Sequence, residues 1–322
     1  MSREKRKVKS LPGTGAERAG PQGDETLAGS GPPSPPPPPF ARRVLPLFGV
    51  FGIQALLLGG FFVYAASGRP PVRLRGRDAV TIPGGGTSLR ADVEREDEPF
   101  PWMNDLRGRA VLFERAAEDP TSPAAPLGLA EIIEGRVELP ISAPAEPGLH
   151  GYRARVRETD GFERAEADIL IASVPPEKGL VLVMLPADPD DSRFFRRSGV
   201  DELDAPGALN NLSRERSIVY IARRYPRGGR AWIASLGLPP GPVLVAGDRR
   251  GGVGKLLASL GLERWKGHNA AVATSIEDAA ALSLAGAHVV LLGGSEPTGI
   301  PLVRAAGRWS EAARILKEPG QG

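Results

Sequence analysis

The sequence predicts three structural regions: an N-terminal transmembrane helix, an all-β domain and a three-layer α/β domain with a Rossmann-like parallel sheet. Residues 44–67 form an uncharged apolar run, and residues 72–174 alternate apolar and polar side chains. Residues 178–318 instead alternate short apolar runs with amphipathic stretches. A chain of 322 residues is long enough for two domains of ordinary size besides a membrane span.

The composition excludes several classes of function. The 41 basic and 38 acidic residues leave a formal net charge of only +3, which gives no case for nucleic-acid binding. The chain has no cysteine, so disulfides, thiolate catalysis and cysteine-ligated metals are excluded. The histidines are too far apart in sequence to form a metal-ligand pair of the H-E-x-x-H type.

Residues 1–43 are basic, rich in proline and almost free of apolar clusters, which predicts a disordered tail. The run "VLPLFGVFGIQALLLGGFFVYAAS" (44–67) follows and contains one strongly polar side chain, Gln54. As a helix, its roughly 24 residues extend about 36 Å at ~1.5 Å each, enough to cross the hydrocarbon core of a membrane. We therefore predict a transmembrane helix that acts as a signal anchor.

The flanks of this run predict its orientation. Basic residues before the run favour a cytoplasmic N-terminus, although four arginines after it weaken the bias. A cleaved signal peptide is the alternative, because "VYAAS" offers small residues, but the polar region before it is longer than a signal peptide has. We expect a single-pass protein of the bacterial plasma (inner) membrane, with both domains outside the cytoplasm.

The segment 72–174 has the pattern of a half-buried antiparallel sheet. Alternating stretches such as "TSLRADVERE", "RAVLFERA" and "EADILIAS" are separated by Gly, Pro and Asp turns. Tyr152 enters a strand shortly after a Pro-Gly turn, and a Thr-Asp-Gly turn follows. This arrangement resembles the late strands of bacterial Ig-like sandwiches, modules that act as spacers or adhesion surfaces.

After the linker "PPEKG" (175–179), the pattern changes to short apolar runs without alternation, as in parallel strands buried on both faces. Helical stretches lie between these runs, which implies a mostly parallel sheet covered on both faces. The closing stretch "PLVRAAGRWSEAARILK" has helical spacing. The runs are "LVLVML" (180–185), "SIVYIA" (217–222), "PVLVAG" (242–247), "AAVAT" (270–274) and "HVVLLGG" (288–294).

The stretch "SIVYIARRYPRGGRAWIASLGLPPGPVLV" resembles the second-strand region of the haloacid dehalogenase (HAD) superfamily, especially its lipin-like and related phosphatidate-phosphatase groups. "GKLLASLGLERW" and "AAVATSIEDAAALSLAGAHVVLLGG" are similar to the lysine-bearing helix, acidic loop and final strand of that family. The resemblance covers about residues 179–294. It implies a HAD-like α/β domain, with Mg²⁺ as cofactor only if the domain hydrolyses phosphomonoesters.

The resemblance also implies catalytic positions. Asp188 and Asp190 have the D-x-D spacing of the family's nucleophile and acid/base, and both would also hold Mg²⁺. However, Pro186 and Ala187 separate them from the first strand, and a strict alignment places an apolar residue at the nucleophile position. The segment "PADPDDS" alternatively reads as a turn and helix N-cap.

The remaining groups of the family mechanism match in part. Lys255 matches the phosphate-binding lysine and Asp278, beside Glu277, matches a magnesium ligand, whereas Ala222 stands where the family has a phosphate-binding Ser or Thr. The alternatives are that Lys255 is a solvated helix lysine and that both acids complement a helix dipole. Because a nucleophile and a hydroxyl act as a unit, their loss predicts a pseudoenzyme.

Arginines gather beyond the ends of the second and third strands of the α/β domain. They predict a phosphate-binding rim that includes Arg224 and binds anionic lipid headgroups or an envelope polymer. Solvated loop arginines are the alternative. The set comprises Arg223, Arg224, Arg227, Arg230, Arg249 and Arg250.

"RGGVGK" (250–255) resembles the Walker A loop of partitioning-type ATPases. Leu256 follows Lys255 where that loop needs Ser or Thr to reach Mg²⁺, so we predict no nucleotide binding. The sequence as a whole predicts a membrane-anchored protein that binds envelope polymers, lipids or proteins. The alternative is a Mg²⁺-dependent phosphatase that uses the displaced Asp188/Asp190 pair on a phosphorylated lipid or polymer.

Overall fold

The computed structural model divides into two compact units, Met1–Ser67 and Gly68–Gly322. In the first unit it describes only Gln54, so the predicted tail 1–43 and span 44–67 lie outside the described residues. Among the residues that it describes, no helix is both long enough and apolar enough to span a membrane. In the second unit the described ranges are 72–95, 109–116, 124–156, 164–185, 204–226, 229–247, 251–295 and 297–317.

The described residues of the N-terminal half of the second unit form a β-sandwich of eight strands, in agreement with the Ig-like prediction. Three strands form one sheet in the order β1-β3-β6, and five form the other in the order β2-β8-β7-β4-β5. Pairing is antiparallel except between β2 and β8. The strands are β1 (Val72–Arg77), β2 (Ala79–Thr81), β3 (Gly86–Arg95), β4 (Ala110–Arg115), β5 (Ala125–Glu131), β6 (Arg136–Ser142), β7 (Gly148–Val156) and β8 (Ala165–Ser173).

The core of the sandwich follows from the alternation along its strands. Inward positions such as Leu89, Phe113 and Ile171 have no exposed surface and pack in one cluster. Tyr152, singled out in the sequence, belongs to this cluster at 4% exposure. Strands β1 and β5 were not predicted. In β5 every residue is exposed or half-buried, so the strand lacks the alternation between buried and outward positions that marks the others.

The C-terminal half contains a parallel six-stranded sheet in the order β11-β10-β9-β12-β13-β14. Its first strand is central, as in doubly wound α/β folds. The five residues of β9 are all buried, which explains its unbroken apolar run. The strands are β9 (Leu180–Met184), β10 (Ser217–Ala222), β11 (Val243–Val245), β12 (Ala270–Ala273), β13 (His288–Leu292) and β14 (Val303–Ala306).

Helices cover both faces of this sheet and form three layers with it. One face carries α1 (Asp204–Ser213), α2 (Gly229–Ser235) and α5 (Trp309–Lys317), whose apolar residues share one core cluster. The other face carries α3 (Gly252–Leu260) and α4 (Ile276–Leu284) around a second cluster. Their apolar positions recur at three- and four-residue spacing, which buries one stripe of each helix.

The prediction that residues 301–317 form one closing helix was wrong. Val303–Ala306 is strand β14, which pairs in parallel with β13, and the helix begins only at Trp309. Gly307 and Arg308 separate the two elements. The apolar residues of "LVRAA" fit the spacing of a helix, but pairing with the edge of the sheet satisfies their backbone groups instead.

The two halves meet at a short, tightly packed linker. Trp265 is 2% exposed, and its indole N–H donates to the carbonyl of Val174 at 3.1 Å. A Cβ atom on Gly179 would lie 2.2 Å from the carbonyl oxygen of His268, so no other residue fits there without a backbone shift. The linker is therefore fixed against the α/β domain.

Candidate functional site

The carboxyl ends of β10 and β12 bring two of the predicted site elements together. Arg223 follows the last residue of β10, and Asp278 lies in the first turn of α4. The Arg223 Nη2 atom donates to Oδ1 of Asp278 at 2.9 Å, and it lies 3.9 Å from Oε2 of Glu277. In a parallel sheet, ligand sites form at this edge.

A second partner holds the other oxygen of Asp278. Ser275 caps helix α4: its hydroxyl accepts from the Asp278 backbone N–H at 3.1 Å and donates to Oδ2 of Asp278 at 2.7 Å. Asp278 is only 8% exposed. Both carboxylate oxygens thus accept hydrogen bonds from protein donors. The positive charge of Arg223 and the dipole at the N-terminus of the helix offset the negative charge of the carboxylate.

The described residues do not fit a magnesium site. Magnesium in proteins takes carboxylate oxygens as ligands, whereas the Asp278 carboxylate is committed to an arginine and a hydroxyl. Within the described ranges, no group of three or more His, Cys, Asp or Glu residues could hold a metal ion. The predicted Asp188 and Asp190 lie outside the described residues. No catalytic step through Mg²⁺ follows from this geometry.

Lys255 lies in the first half of α3 with its side chain exposed. The glycines before it have a packing role. Gly251 is the N-cap at φ 76°, and a Cβ on Gly252 would lie 2.5 Å from the carbonyl oxygen of Ala246. The glycine-rich loop therefore lets the helix start directly beside the end of β11, which accounts for its likeness to a Walker A loop.

A cleft of about 920 Å³ lies between the sandwich and the ends of β10 and β11. Its lining includes the predicted Arg224 and Arg230, but also residues of β1 that the sequence did not single out. Arg227, Arg249 and Arg250 of the predicted rim lie outside the described residues. The arginines that line the cleft are Arg73, Arg75 and Arg77 from β1, and Arg223, Arg224 and Arg230 from the segment after β10.

Strand β1 places its arginines on one face. Its burial alternates, with Val72, Leu74 and Gly76 turned into the sandwich and every second residue turned outward. Carboxylates of the neighbouring β3 hold two of the outward side chains. Arg77 Nε lies 2.7 Å from Oδ2 of Asp92, and Arg75 Nη2 lies 3.2 Å from Oε2 of Glu94.

Asp78, directly after β1, is the main polar link between the two domains. Its carboxylate accepts from the backbone N–H of Leu170 in the sandwich, from the backbone N–H of Val243 in β11, and from Arg230 in α2, at 2.8, 2.8 and 2.6 Å. Burial raises the pKa of this carboxyl above its ordinary value, although the Arg230 charge and the two backbone donors oppose the shift.

Tyr225 also lines the cleft. Burial raises the pKa of its hydroxyl, and the negative charge of Asp78 adds to the shift. A Cβ on Gly229 would lie 3.1 Å from the Tyr225 ring, so the first residue of α2 packs directly on it. The ring is therefore held in place where it lines the cleft.

Sequence reasoning missed the β1 half of this cleft. The signal was present as "VRLRGRD", with an arginine at every second position. What the sequence did not show is that this strand faces the end of β10 across the domain boundary. Asp78 was missed because a lone aspartate after a strand usually belongs to a turn.

No protein-family model matches the chain, and no curated protein matches it. Solved structures that match part of it include titin M4 (16% identity, TM-score 0.23, 33% of this chain and 97% of that one). Another is a conjugative transposon lipoprotein from Bacteroides eggerthii (12%, TM-score 0.22, 31% and 96%). A third is the PKD domain of human KIAA0319 (13%, TM-score 0.21, 34% and 85%). At these low TM-scores the similarities carry no argument about this chain.

The class of protein therefore rests on the strands and the cleft of the chain itself. The chain combines an Ig-like β-sandwich with a parallel α/β sheet, linked through Asp78, and an arginine-lined cleft lies between them.

Proposed function

We propose that this chain is a single-pass, membrane-anchored protein of the bacterial envelope that binds or scaffolds other components and does not catalyse a reaction. The apolar run 44–67 is the anchor, the basic tail 1–43 is cytoplasmic, and both domains lie outside the cytoplasm. The Ig-like sandwich acts as a spacer and as one wall of the binding cleft.

In this proposal the α/β domain is a degenerate HAD-like domain. Two features support that assignment: the motif resemblance over residues 179–294 and a sheet whose first strand is central, with the second and third strands on one side and the fourth on the other. Other doubly wound folds share this strand order, so the motifs carry the assignment to the HAD superfamily.

The observation that carries the non-catalytic proposal is the ion pair between Arg223 and Asp278. In the HAD resemblance Asp278 is a metal ligand, yet its two oxygens bind Arg223 and Ser275. A metal ion on this carboxylate would either break the bond to Arg223 or lie beside its positively charged guanidinium group, and both are unfavourable. Arg223 follows Ala222, which stands where the family needs a hydroxyl, so this position offers a guanidinium group for an anion but no hydroxyl.

The partners proposed are the membrane itself and anionic envelope components: lipid headgroups, an envelope polymer or envelope proteins. The arginines of the cleft support this choice, because guanidinium groups form bidentate hydrogen bonds with phosphate and carboxylate. Nucleic acid and nucleotides are not among the proposed partners.

The alternative is a Mg²⁺-dependent phosphatase, and one observation favours it. Leu185 extends the pairing of β9, since its N–H donates to the Ile221 carbonyl at 2.8 Å. Asp188 thus follows the carboxyl end of the central strand by only three residues in sequence. That is the edge where the family's nucleophile lies.

Hydrolysis of a generic phosphomonoester, with and without Mg²⁺, separates the two functions. The full chain in a neutral detergent should show the same background rate as its Asp188→Asn and Asp190→Asn variants. A Mg²⁺-dependent rate in the wild type that either substitution abolishes would establish the phosphatase instead.

A topology reporter fused after residue 322 tests the localisation. We expect an extracytoplasmic signal, because the basic residues of the tail hold the N-terminus inside. A cytoplasmic signal would contradict the proposed orientation.

A further inference from the structure

The cleft described above has two arginine walls that come from different domains. Arg73, Arg75 and Arg77 form the β1 wall, and Arg223, Arg224 and Arg230 form the β10 wall. We infer that this arginine cleft binds a polyanion with at least two phosphate groups, which bridges the two walls. The inference rests on the proposed binding function and specifies the site and the ligand chemistry.

The β1 wall is a regular row of positive charges. Outward residues at alternate positions of a strand are spaced by roughly 6.5–7 Å. Asp92 and Glu94 hold Arg77 and Arg75 from the next strand, and both arginine side chains keep about two-fifths of their surface exposed, 44% and 41%. A row held in this way is already ordered before a ligand arrives, so little side-chain entropy is lost on binding.

The β10 wall is anchored from behind. Arg223 is fixed through its Nη2 atom by Asp278, and Arg230 through its Nη1 atom by Asp78. Both carboxylates are buried. A guanidinium group has five N–H donors, and one such bond uses a single donor. These arginines therefore line the cleft in a fixed position, and each of these bonds occupies one of their five N–H donors.

Guanidinium groups outnumber carboxylates among the groups that line the cleft. Six arginines line it against three carboxylates, those of Asp92, Glu94 and Asp168. The buried Asp78 and Asp278, with Glu277 at 3.9 Å from Arg223, hold arginines of the β10 wall from behind. The cleft volume of about 920 Å³ falls in the range of small-molecule sites. A phosphate offers several oxygens to planar guanidinium forks, and positive walls on both sides call for more than one phosphate.

The test is calorimetric titration of the full chain, in nanodiscs of uncharged phosphatidylcholine, with inorganic pyrophosphate and with monophosphate. We expect saturable binding of pyrophosphate that is tighter than binding of monophosphate. Arg77→Gln on one wall and Arg224→Gln on the other should each weaken pyrophosphate binding about tenfold or more.

Arg136→Gln is the matched control. Arg136 also lies near Asp92, at 3.9 Å, and is also an arginine of the β1-β3-β6 sheet, but it does not line the cleft. It should leave the affinity unchanged, and thermal unfolding of all three variants checks that they fold. No saturable binding, or equal weakening by Arg77→Gln and Arg136→Gln, would overturn the inference.

Two further measurements distinguish a lipid ligand from a soluble or polymeric one, and binding from hydrolysis. Nanodiscs that contain phosphatidic acid weaken apparent pyrophosphate binding if a lipid headgroup occupies the cleft, and leave it unchanged if the natural ligand is a soluble or polymeric phosphate. Release of phosphate from pyrophosphate would contradict the non-catalytic function but not the binding site. Absence of binding without any release would remove the site and leave the non-catalytic proposal standing.

Discussion

Among single residues, Asp78 contributes most to holding the two domains together. Its side chain has no exposed surface, and it holds together a sandwich strand, the edge strand β11 and Arg230. Buried ion pairs of this kind contribute little over an apolar pair, but removing one partner leaves the other charge buried and unpaired. The site is thus sensitive to truncation and tolerant of a polar isostere.

We predict that Asp78→Ala lowers the free energy of unfolding by about 3–5 kcal/mol, because Arg230 and two backbone N–H groups lose their acceptor. Asp78→Asn keeps an acceptor oxygen and should cost distinctly less. Denaturant unfolding of the purified chain measures both. Equal losses for Ala and Asn would show that the acceptor does not matter.

The raised pKa of Asp78 predicts a pH dependence. The folded state takes up this proton at a higher pH than the unfolded state, whose value is near 3.8. The contribution of Asp78 to stability therefore increases as pH falls through the window between the raised pKa and 3.8. As the pH falls through that window, the free energy of unfolding of the wild type should rise relative to that of Asp78→Asn. A shift in the opposite direction would mean that Arg230 outweighs burial.

A further prediction concerns His268 and His288, whose rings stack with centroids 4.1 Å apart. Burial and nearby positive charge, including Arg216, lower the pKa of both below 6.5. Unfolding then takes up protons below that pH, so their stabilising contribution is lost as pH falls through this window. His288→Gln should reduce the drop in Tm between pH of about 7.5 and about 5.5. An unchanged drop would contradict this.

Among the elements, helix α3 contains two glycines that differ in the space around them. Gly252 lies against the backbone of Ala246, whereas a Cβ on Gly254, two residues later in the same helix, meets nothing within 4 Å. The same substitution should thus have opposite effects at the two positions.

We predict that Gly252→Ala destabilises the protein by about 1–3 kcal/mol, because the new methyl group collides with backbone that cannot move away. Gly254→Ala should stabilise it by about 0.5–1 kcal/mol through helix propensity. Thermal unfolding of the two variants under identical conditions measures the contrast. Stabilisation by both would show that the loop before α3 yields easily.

The type of an element was predictable from the sequence where one face of a strand, or both faces, are buried. Buried β9 and the alternating strand β3 follow directly from their patterns. The edge elements were not predictable in the same way: β5 is exposed along most of its length, and β14 has the spacing of a helix. At an edge, the backbone of a neighbouring strand decides the structure, and a local pattern does not contain that information.

At the scale of the whole molecule, the sandwich and the α/β domain form one compact unit. The linker around Gly179, the indole of Trp265 and the Asp78 carboxylate all cross the boundary. The candidate site was predictable in part for the same reason. Arg224 and Arg230 follow a recognisable strand, but the opposing arginines of β1 come from a different domain, and only the folded chain shows the two groups facing each other.

This linkage predicts one cooperative unfolding transition for residues 68–322. Asp78→Ala removes the polar link and should broaden the transition or split it in two, as measured by calorimetry with the full chain. Glu166→Gln, which loses ion pairs only within the sandwich, is the control and should keep a single transition. Two transitions in the wild type would show that the domains fold independently.

We propose that the α/β domain contributes to binding a phosphorylated polyanion without hydrolysing it. Calorimetric injection of pyrophosphate into the full chain in the presence of Mg²⁺ tests both parts in one measurement. We expect saturable heats, each of which returns to the baseline. Sustained heat after each injection would reveal turnover, and the absence of saturable heat would reveal that the cleft does not bind the ligand; either result would contradict the claim.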